Sequence, residues 1–400
     1  MKMTAMSLSR ISISICVFVA LIITSVRTDA ADDAEKIELA RREAFRSSVA
    51  AIVADLNGGS YQRFINAIDR RAMIDRIYGL RLIDQQVKKQ FNSSMENSFD
   101  NMIKSEFAAP EDGLKATLLG VESRGDRGRA VVRFDYPKFE FNYHEYDLRL
   151  DAQNRLIVVD WTDYIAGINF SDSVGQLLVM SAPSKPAMRK LLDFQNVKDR
   201  DLFEFGELLK AARDTQLDRY LEIHGRLEPR FQRQRIVVET NVRVARQARK
   251  RRQMIAALGI MAETFPDEPL YALMLLDYYF PARKYEEAMR ALQSLSEQLD
   301  FPDAAMDARM SAAALVMGKP QDAAAFAERA LELEPGLELG WWSALGARAE
   351  LADFKGSVEV LQKLESDFGH ELGPDKLKKN RQYAQLLASA EFKAWVESKQ

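Results

Sequence analysis

The nine residues Ala327-Glu328-Arg329-Ala330-Leu331-Glu332-Leu333-Glu334-Pro335 decide the reading of the second half of this chain. With Ala323 before them, Ala327 and Ala330 fall at helical spacing, so one face of this helix is built of small side chains, and Pro335 ends it. The pattern repeats on both sides. Ala288, Ala323 and Ser357 are 35 and 34 residues apart; Leu292, Ala327 and Leu361 follow four positions later, and Leu295, Ala330 and Leu364 three after that. Each set has a similar lead-in: Lys284-Tyr285-Glu286-Glu287, Lys319-Pro320-Gln321-Asp322 and Asp353-Phe354-Lys355-Gly356. Upstream, Pro229, Pro266, Pro302 and Pro335 stand 37, 36 and 33 residues apart, and Leu217, Leu221, Met254 and Leu258 occupy the corresponding second-helix positions.

A period near 34, with Trp342, Leu345 and Gly346 at first-helix positions, resembles the tetratricopeptide repeat, a helix-turn-helix unit that keeps small residues where its two helices cross. The first repeat departs from the family pattern, with Leu276 where a glycine is expected. The resemblance implies five helical hairpins between about 198 and 371, with Pro374 to Trp395 covering the last apolar face. It also implies a concave surface that binds peptides or proteins without a reacting group. The positions that match the family's groove are Leu273, Asp277, Ala308, Ala312, Ser343 and Ala347. None is the lysine or asparagine of the chaperone-tail clamp, so the expected groove is small and apolar, suited to a partner helix or to the chain's own N-terminal domain. Trp341 and Trp342 are about 100° apart on their helix, which predicts one in the core and the other half exposed as a partner anchor.

The first half reads differently. Ile37, Phe45, Val49, Ile52 and Leu56 share a helical face that Asn57-Gly58-Gly59 stops. Ser60 is placed to cap a second helix carrying Phe64, Ile68, Ile74 and Ile77, and a third runs from Leu82 to Phe107, before a break at 108–113. Strands are expected at Lys115–Glu122, Arg129–Tyr136, Phe139–Leu150 and Leu156–Asp163, with turns at 123–128 and 151–154. Helices followed by an antiparallel meander make an α+β layer with helices on one face. The element order resembles the cystatin-like and NTF2-like superfold, which includes enzymes with a pocket between helix and sheet. The strands offer His144, Glu145, Asp160 and Tyr164 to such a pocket, against the plainer reading of His144 as a strand residue and Asp160-Trp161 as a structural corner.

Residues 1–30 have a positive start at Lys2 and Arg10, an apolar run from Ile11 to Val26, and Thr28-Asp29-Ala30 as a small-x-small cleavage site. The expectation is a cleaved secretory signal, with an uncleaved anchor as the alternative, and an extracytoplasmic location, periplasmic or secreted. Among 400 residues, 56 basic and 59 acidic side chains give a net charge of −3, which speaks against a nucleic-acid-binding protein. Cys16 is the only cysteine, and His144, His224 and His370 are far apart, leaving nothing for a disulfide scaffold or a histidine-rich metal centre. The balance hides one basic stretch: Arg226 to Arg252 holds nine arginines and Lys250 against Glu228 and Glu239, a local net charge of +8. It reads as a solvated helix face, with contact to an anionic membrane surface as the alternative. The expected organisation is a signal or anchor at 1–30, an α+β domain at 31–184, degenerate hairpins at 185–268, tetratricopeptide-like repeats at 269–371 and a cap at 372–400. The expected function is that of an exported adaptor or scaffold without a cofactor that binds a protein or peptide partner. A small-molecule site or enzyme in the α+β domain, using His144, Asp160 and Tyr164, is the alternative.

Overall fold

The computed structural model describes residues 35–399 other than 80, 108–113 and 193–196; the expected targeting segment with Cys16 and the break at 108–113 lie outside them. Helix α1 (35–57) buries Phe45, Val49, Ile52, Val53 and Leu56, while Ile37, about two turns before Phe45, is exposed. Asn57 ends it and binds both backbone groups of Ala116 (2.9 and 2.7 Å), fixing the helix end to the first strand. The single second helix expected after Ser60 is two. Ile68 turns extended between α2 (Gln62–Ala67) and α3 (Arg70–Tyr78) and bridges Val158, and the Asp69 carboxylate caps α3 by accepting from Ala72 N–H. Asp84 caps α4 (Gln85–Glu106) in the same way.

Five antiparallel strands follow in chain order: β1 (Lys115–Arg124), β2 (Arg127–Tyr136), β3 (Glu140–Leu150), β4 (Leu156–Asp163) and the two-residue β5 (Ile168–Asn169), too short for any alternation in sequence. One face carries Val132, Phe134, Tyr146, Leu148, Val158 and Trp161 against α1 to α4 and α5 (Phe170–Ser181); Phe170 stacks on Trp161 with ring centroids 4.0 Å apart. The expectation of helices on one face only is corrected here. Val131, Phe141, Tyr143 and Tyr164 on the other face are buried against later helices, and β2 is accordingly buried without alternation from Ala130 to Phe134.

After α6 (Lys185–Leu192) the chain is helical: α7 (Asp199–Arg213), α8 (Leu217–Arg226), α9 (Pro229–Gln232), α10 (Arg235–Gln247), α11 (Arg251–Thr264), α12 (Ala272–Tyr279), α13 (Tyr285–Leu299), α14 (Ala304–Val316), α15 (Pro320–Leu333), α16 (Glu338–Glu350) and α17 (Phe354–Phe368). Five pairs, α7/α8, α10/α11, α12/α13, α14/α15 and α16/α17, are joined by three to five residues, short enough to lay each pair antiparallel. Every one of these turns has a left-handed residue: Thr215, Arg249, Arg283, Gly318 and Ala352, with φ between 52° and 71° and separations of 34, 34, 35 and 34 residues. Each makes the same two hydrogen bonds. Its N–H donates to the carbonyl three residues back and the next N–H to the carbonyl five back, as in Thr215 to Ala212 with Gln216 to Ala211, and Ala352 to Ala349 with Asp353 to Arg348. The short helices α18 (Pro374–Leu377), α19 (Ala384–Ala388) and α20 (Ala390–Glu397), with the single 3-10 turn Arg381–Tyr383, place Leu377, Tyr383, Leu386, Phe392 and Trp395 on the apolar side of α16 and α17.

Sheet and helices are joined by charge as well as by apolar contact. The guanidinium of Arg133 on β2 is fully buried. It donates to both carboxylate oxygens of Asp135 (2.7 and 3.0 Å), to Glu334 at the end of α15 (2.7 Å) and to Asp303, which caps α14. Tyr143 donates to the other Asp303 oxygen at 2.5 Å. Arg129 donates to the carbonyls of Gln298 and Leu299 at the end of α13. At the β1 bulge, Gly120 lets the ring of Phe301 lie on the backbone: a Cβ there would stand 2.1 Å from its Cε1.

Candidate functional site

A cleft of about 650 Å³ opens between the start of β3 and the helices α10, α11, α12 and α14. Its shape begins with Pro137. The next two residues, Lys138 and Phe139, both take positive φ, which swings the chain so that β3 starts at Glu140 with the Phe139 carbonyl facing α14. Arg309 of α14 donates to that carbonyl and lies over the Phe141 ring, 5.4 Å from its centroid. On the opposite rim Arg246 of α10 donates to the Ile165 carbonyl at 3.0 Å. Arg251, Met254 and Ile255 of α11 and Leu273, Leu276, Asp277, Phe280 and Pro281 of and after α12 complete the walls.

The electrostatics are one-sided. Burial pulls the Arg246 and Arg309 guanidinium groups below their ordinary value, and only longer-range attraction to carboxylates such as Asp277 opposes it. Burial pushes the Asp277 carboxyl up, against the pull of Arg246, Arg251 and Arg309. No ion pair joins Arg246, Arg251 or Arg309 to a carboxylate among the described residues; Arg246 and Arg309 each donate to a backbone carbonyl instead. Arg249 and Lys250 in the α10–α11 turn and Arg251 and Arg252 at the start of α11 are all exposed. The lining combines three arginines, the carboxylates of Glu140 and Asp277 and apolar side chains, with no imidazole, thiol or hydroxyl group.

Of the groove positions read from sequence, Leu273 and Asp277 line this cleft and Ala312 is exposed on α14. Ala308, Ser343 and Ala347 are corrected from groove to interior: both alanines are fully buried between helices, and the Ser343 hydroxyl donates to the Leu339 and Ala308 carbonyls, closing α16 onto α14. Of the two tryptophans, expected as one in the core and one half exposed, neither is in the core. Both are half-buried; Trp341 Nε1 donates to the Pro335 carbonyl and Trp342 Nε1 to Glu338, whose carboxylate also holds His370.

The alternative trio does not converge. His144 is buried on the α1–α5 side among Phe134, Phe107 and Tyr146, with Nδ1 3.2 Å from Tyr146 Oη and Nε2 3.7 Å from Asp163. Asp160 accepts from the Ser171 hydroxyl (2.6 Å) and from the backbone N–H groups of Ser171 and Trp161, a brace for the start of α5; burial pushes its carboxyl up. Tyr164 lies on the opposite face of the sheet and donates to Glu145 at 3.0 Å. Between α1, α2 and the sheet the free space is about 10 Å³, on the order of one water molecule.

The basic stretch is divided among four helices and their turns. Arg226 pairs with Glu204 and Glu222, Arg230 with Glu228 and Arg235 with Glu268, while Arg243 reaches Met180 and Arg246 enters the cleft. Sequence reasoning did not single out Arg246 and Arg251 from that stretch, nor Arg309 or Glu140 at all. Arg309 carried a faint signal, as the lone cation of the alanine-rich Ala304–Val316 helix. No group of three or more His, Cys, Asp or Glu among the described residues is arranged to hold a metal ion, and no described helix is long and apolar enough to cross a membrane. Compared with protein-family models and with curated proteins, the chain matches none.

Proposed function

We propose that this chain is an exported adaptor without catalytic activity, in which five tetratricopeptide-like hairpins, α7/α8 to α16/α17, hold another protein or peptide. The observation that carries this reading is the recurrence of one turn, with the same left-handed residue and the same two hydrogen bonds, at a period of 34 or 35 residues. Stacked hairpins supply an extended surface whose neighbours contact only each other. Here part of that surface is taken by the chain's own sheet, which leaves the cleft beside Phe280 and the exposed positions around Ala312 for a partner. The cleft offers a partner both charged and apolar side chains, Arg246, Arg251 and Arg309 beside Phe141, Leu276 and Phe280.

The test is site-specific photo-crosslinking in the native host. A photoreactive residue at Phe280 or Ala312 gives a discrete crosslinked polypeptide in the envelope fraction, and the same residue at the exposed Leu39 of α1 does not. Labelling at Phe280 and Ala312 no stronger than at Leu39 overturns the adaptor reading. For export, the mature chain begins at Ala31, or stays membrane-bound with residues 1–30 intact; recovery from the cytosol overturns that part.

A further inference from the structure

The cleft has a chemistry that a general protein-binding surface does not require. Arg246, Arg251 and Arg309 converge on it from three helices, and none has a carboxylate in ion-pair contact. A guanidinium carries five N–H donors in a planar fork that fits a carboxylate with two parallel bonds. Arg246 and Arg309 each spend donors on one neutral backbone carbonyl, which places the groups without neutralising them. Facing them are two carboxylates, Glu140 and Asp277, so the lining keeps an excess of one positive charge. The walls beside the arginines are Phe141, Leu276, Phe280 and Pro281. An occupant therefore needs an anionic group next to apolar bulk.

Resting on the adaptor reading above, we propose that the cleft is the docking site for an acidic segment of a partner polypeptide, with a carboxylate among Arg246, Arg251 and Arg309 and the neighbouring apolar side chain on Phe280 and Leu276. Charge complementarity selects a chain over a compact amphiphile. The basic character does not stop at the cleft, because Arg249 and Lys250 in the α10–α11 turn and Arg252 at the start of α11 continue it in sequence with Arg251, where only a ligand with several acidic groups in sequence meets them. Asp277 is then the internal competitor for the arginines, held there while the cleft is empty and repelled when the segment enters.

The probe is a fluorescein-labelled peptide of four Glu-Leu-Ser repeats, with its Gln-Leu-Ser counterpart as control, titrated with the full mature chain by anisotropy. The glutamate peptide binds at least about tenfold more tightly than the glutamine one, and its affinity falls as salt rises from about 50 to 500 mM. Arg251→Glu, at an exposed position, weakens binding by about tenfold or more with an unchanged unfolding midpoint. Asp277→Asn tightens it severalfold, an effect with the opposite sign to structural damage. Dodecyl phosphate does not displace the peptide. Equal binding of the two peptides, indifference to Arg251→Glu, weakening by Asp277→Asn, or displacement by dodecyl phosphate each overturns the inference. If the peptide fails while crosslinking from Phe280 and Ala312 succeeds, the acidic-segment inference falls and the adaptor reading stands; the converse result separates them the other way.

Discussion

Replacing Arg133 with methionine keeps most of the side chain's bulk and removes the one cation that three carboxylates share. Those carboxylates are not equally dependent on it. Glu334 retains Lys115 at 2.9 Å, and Asp303 retains the Tyr143 hydroxyl and the Met306 N–H. Asp135 loses both of its bonds to Arg133, and burial already pushes its carboxyl above the ordinary value. Breaking a buried pair from one side leaves an uncompensated charge and costs about 3–5 kcal/mol. With a urea slope of about 3 kcal/mol per M, the unfolding midpoint falls by about 1–1.7 M. Tryptophan fluorescence reads both sides of the joint, since Trp161 lies in the α1–α5 core and Trp341, Trp342 and Trp395 lie around α16 to α20. A carboxyl whose folded value exceeds its unfolded one favours folding at low pH and loses that contribution as pH rises through the interval between the two. The Arg133→Met deficit is therefore larger at pH 7 than near pH 4, the ordinary carboxylate value, and Arg133→Met with Asp135→Asn recovers part of it. A midpoint loss below about 0.3 M, or a deficit that grows on acidification, would falsify the assignment of Arg133 as the electrostatic joint between sheet and helices.

Other substitutions test other elements. Gly120→Ala sets a methyl against the Phe301 ring and costs about 1–3 kcal/mol, which Phe301→Leu partly relieves; thermal unfolding of both variants and their combination measures this. Thr215 is a β-branched residue in the left-handed region, so Thr215→Gly raises stability by about 0.5–1 kcal/mol in denaturant unfolding, whereas Gly318→Val at the equivalent turn lowers it. Asp163 is pushed up by burial, but the His144 contact and the Ala166 and Asn142 hydrogen bonds outweigh this and hold it at about 2. A lowered carboxyl stabilises above its unfolded value and loses that contribution as pH falls from about 4 to 2, here about 2 kcal/mol; Asp163→Asn flattens the stability profile in that window, and an unchanged slope refutes the assignment.

Much of the architecture was legible because it is local. The four longer strands alternate or run apolar between turn residues, and their predicted bounds lie within a few residues of β1 to β4. The proline spacing and the small residues at 288, 323 and 357 mark helix pairs whose turns recur at nearly the same interval. The repeat was faint because glycine, the residue that usually advertises a left-handed turn, occupies only position 318 of the five; Thr215, Arg249, Arg283 and Ala352 adopt the same backbone without its signature. What could not be read was long-range. The break at Ile68 follows from its pairing with Val158, some ninety positions away, and the burial of Arg133 from partners at 303 and 334. The cleft is of this second kind. Arg246 and Arg309 look like ordinary helix-surface cations until the carbonyls of Ile165 and Phe139 are brought beside them.

The contacts of the sheet with α10 to α15 act as a ruler on the helical array. Hairpins that touch only their neighbours tolerate the gain or loss of a unit, since the remainder slides along to close the gap. In this chain Arg246 is tied to Ile165, Arg129 to the end of α13, and Arg133 at once to the start of α14 and the end of α15, all measured against strands of fixed length. Removing or adding a hairpin between α10 and α15 would put every one of these anchors out of register together. The number of helix pairs is thus set in that span by the sheet within the same polypeptide. Only beyond it, from α16 onward, does the array keep the freedom to grow or shorten.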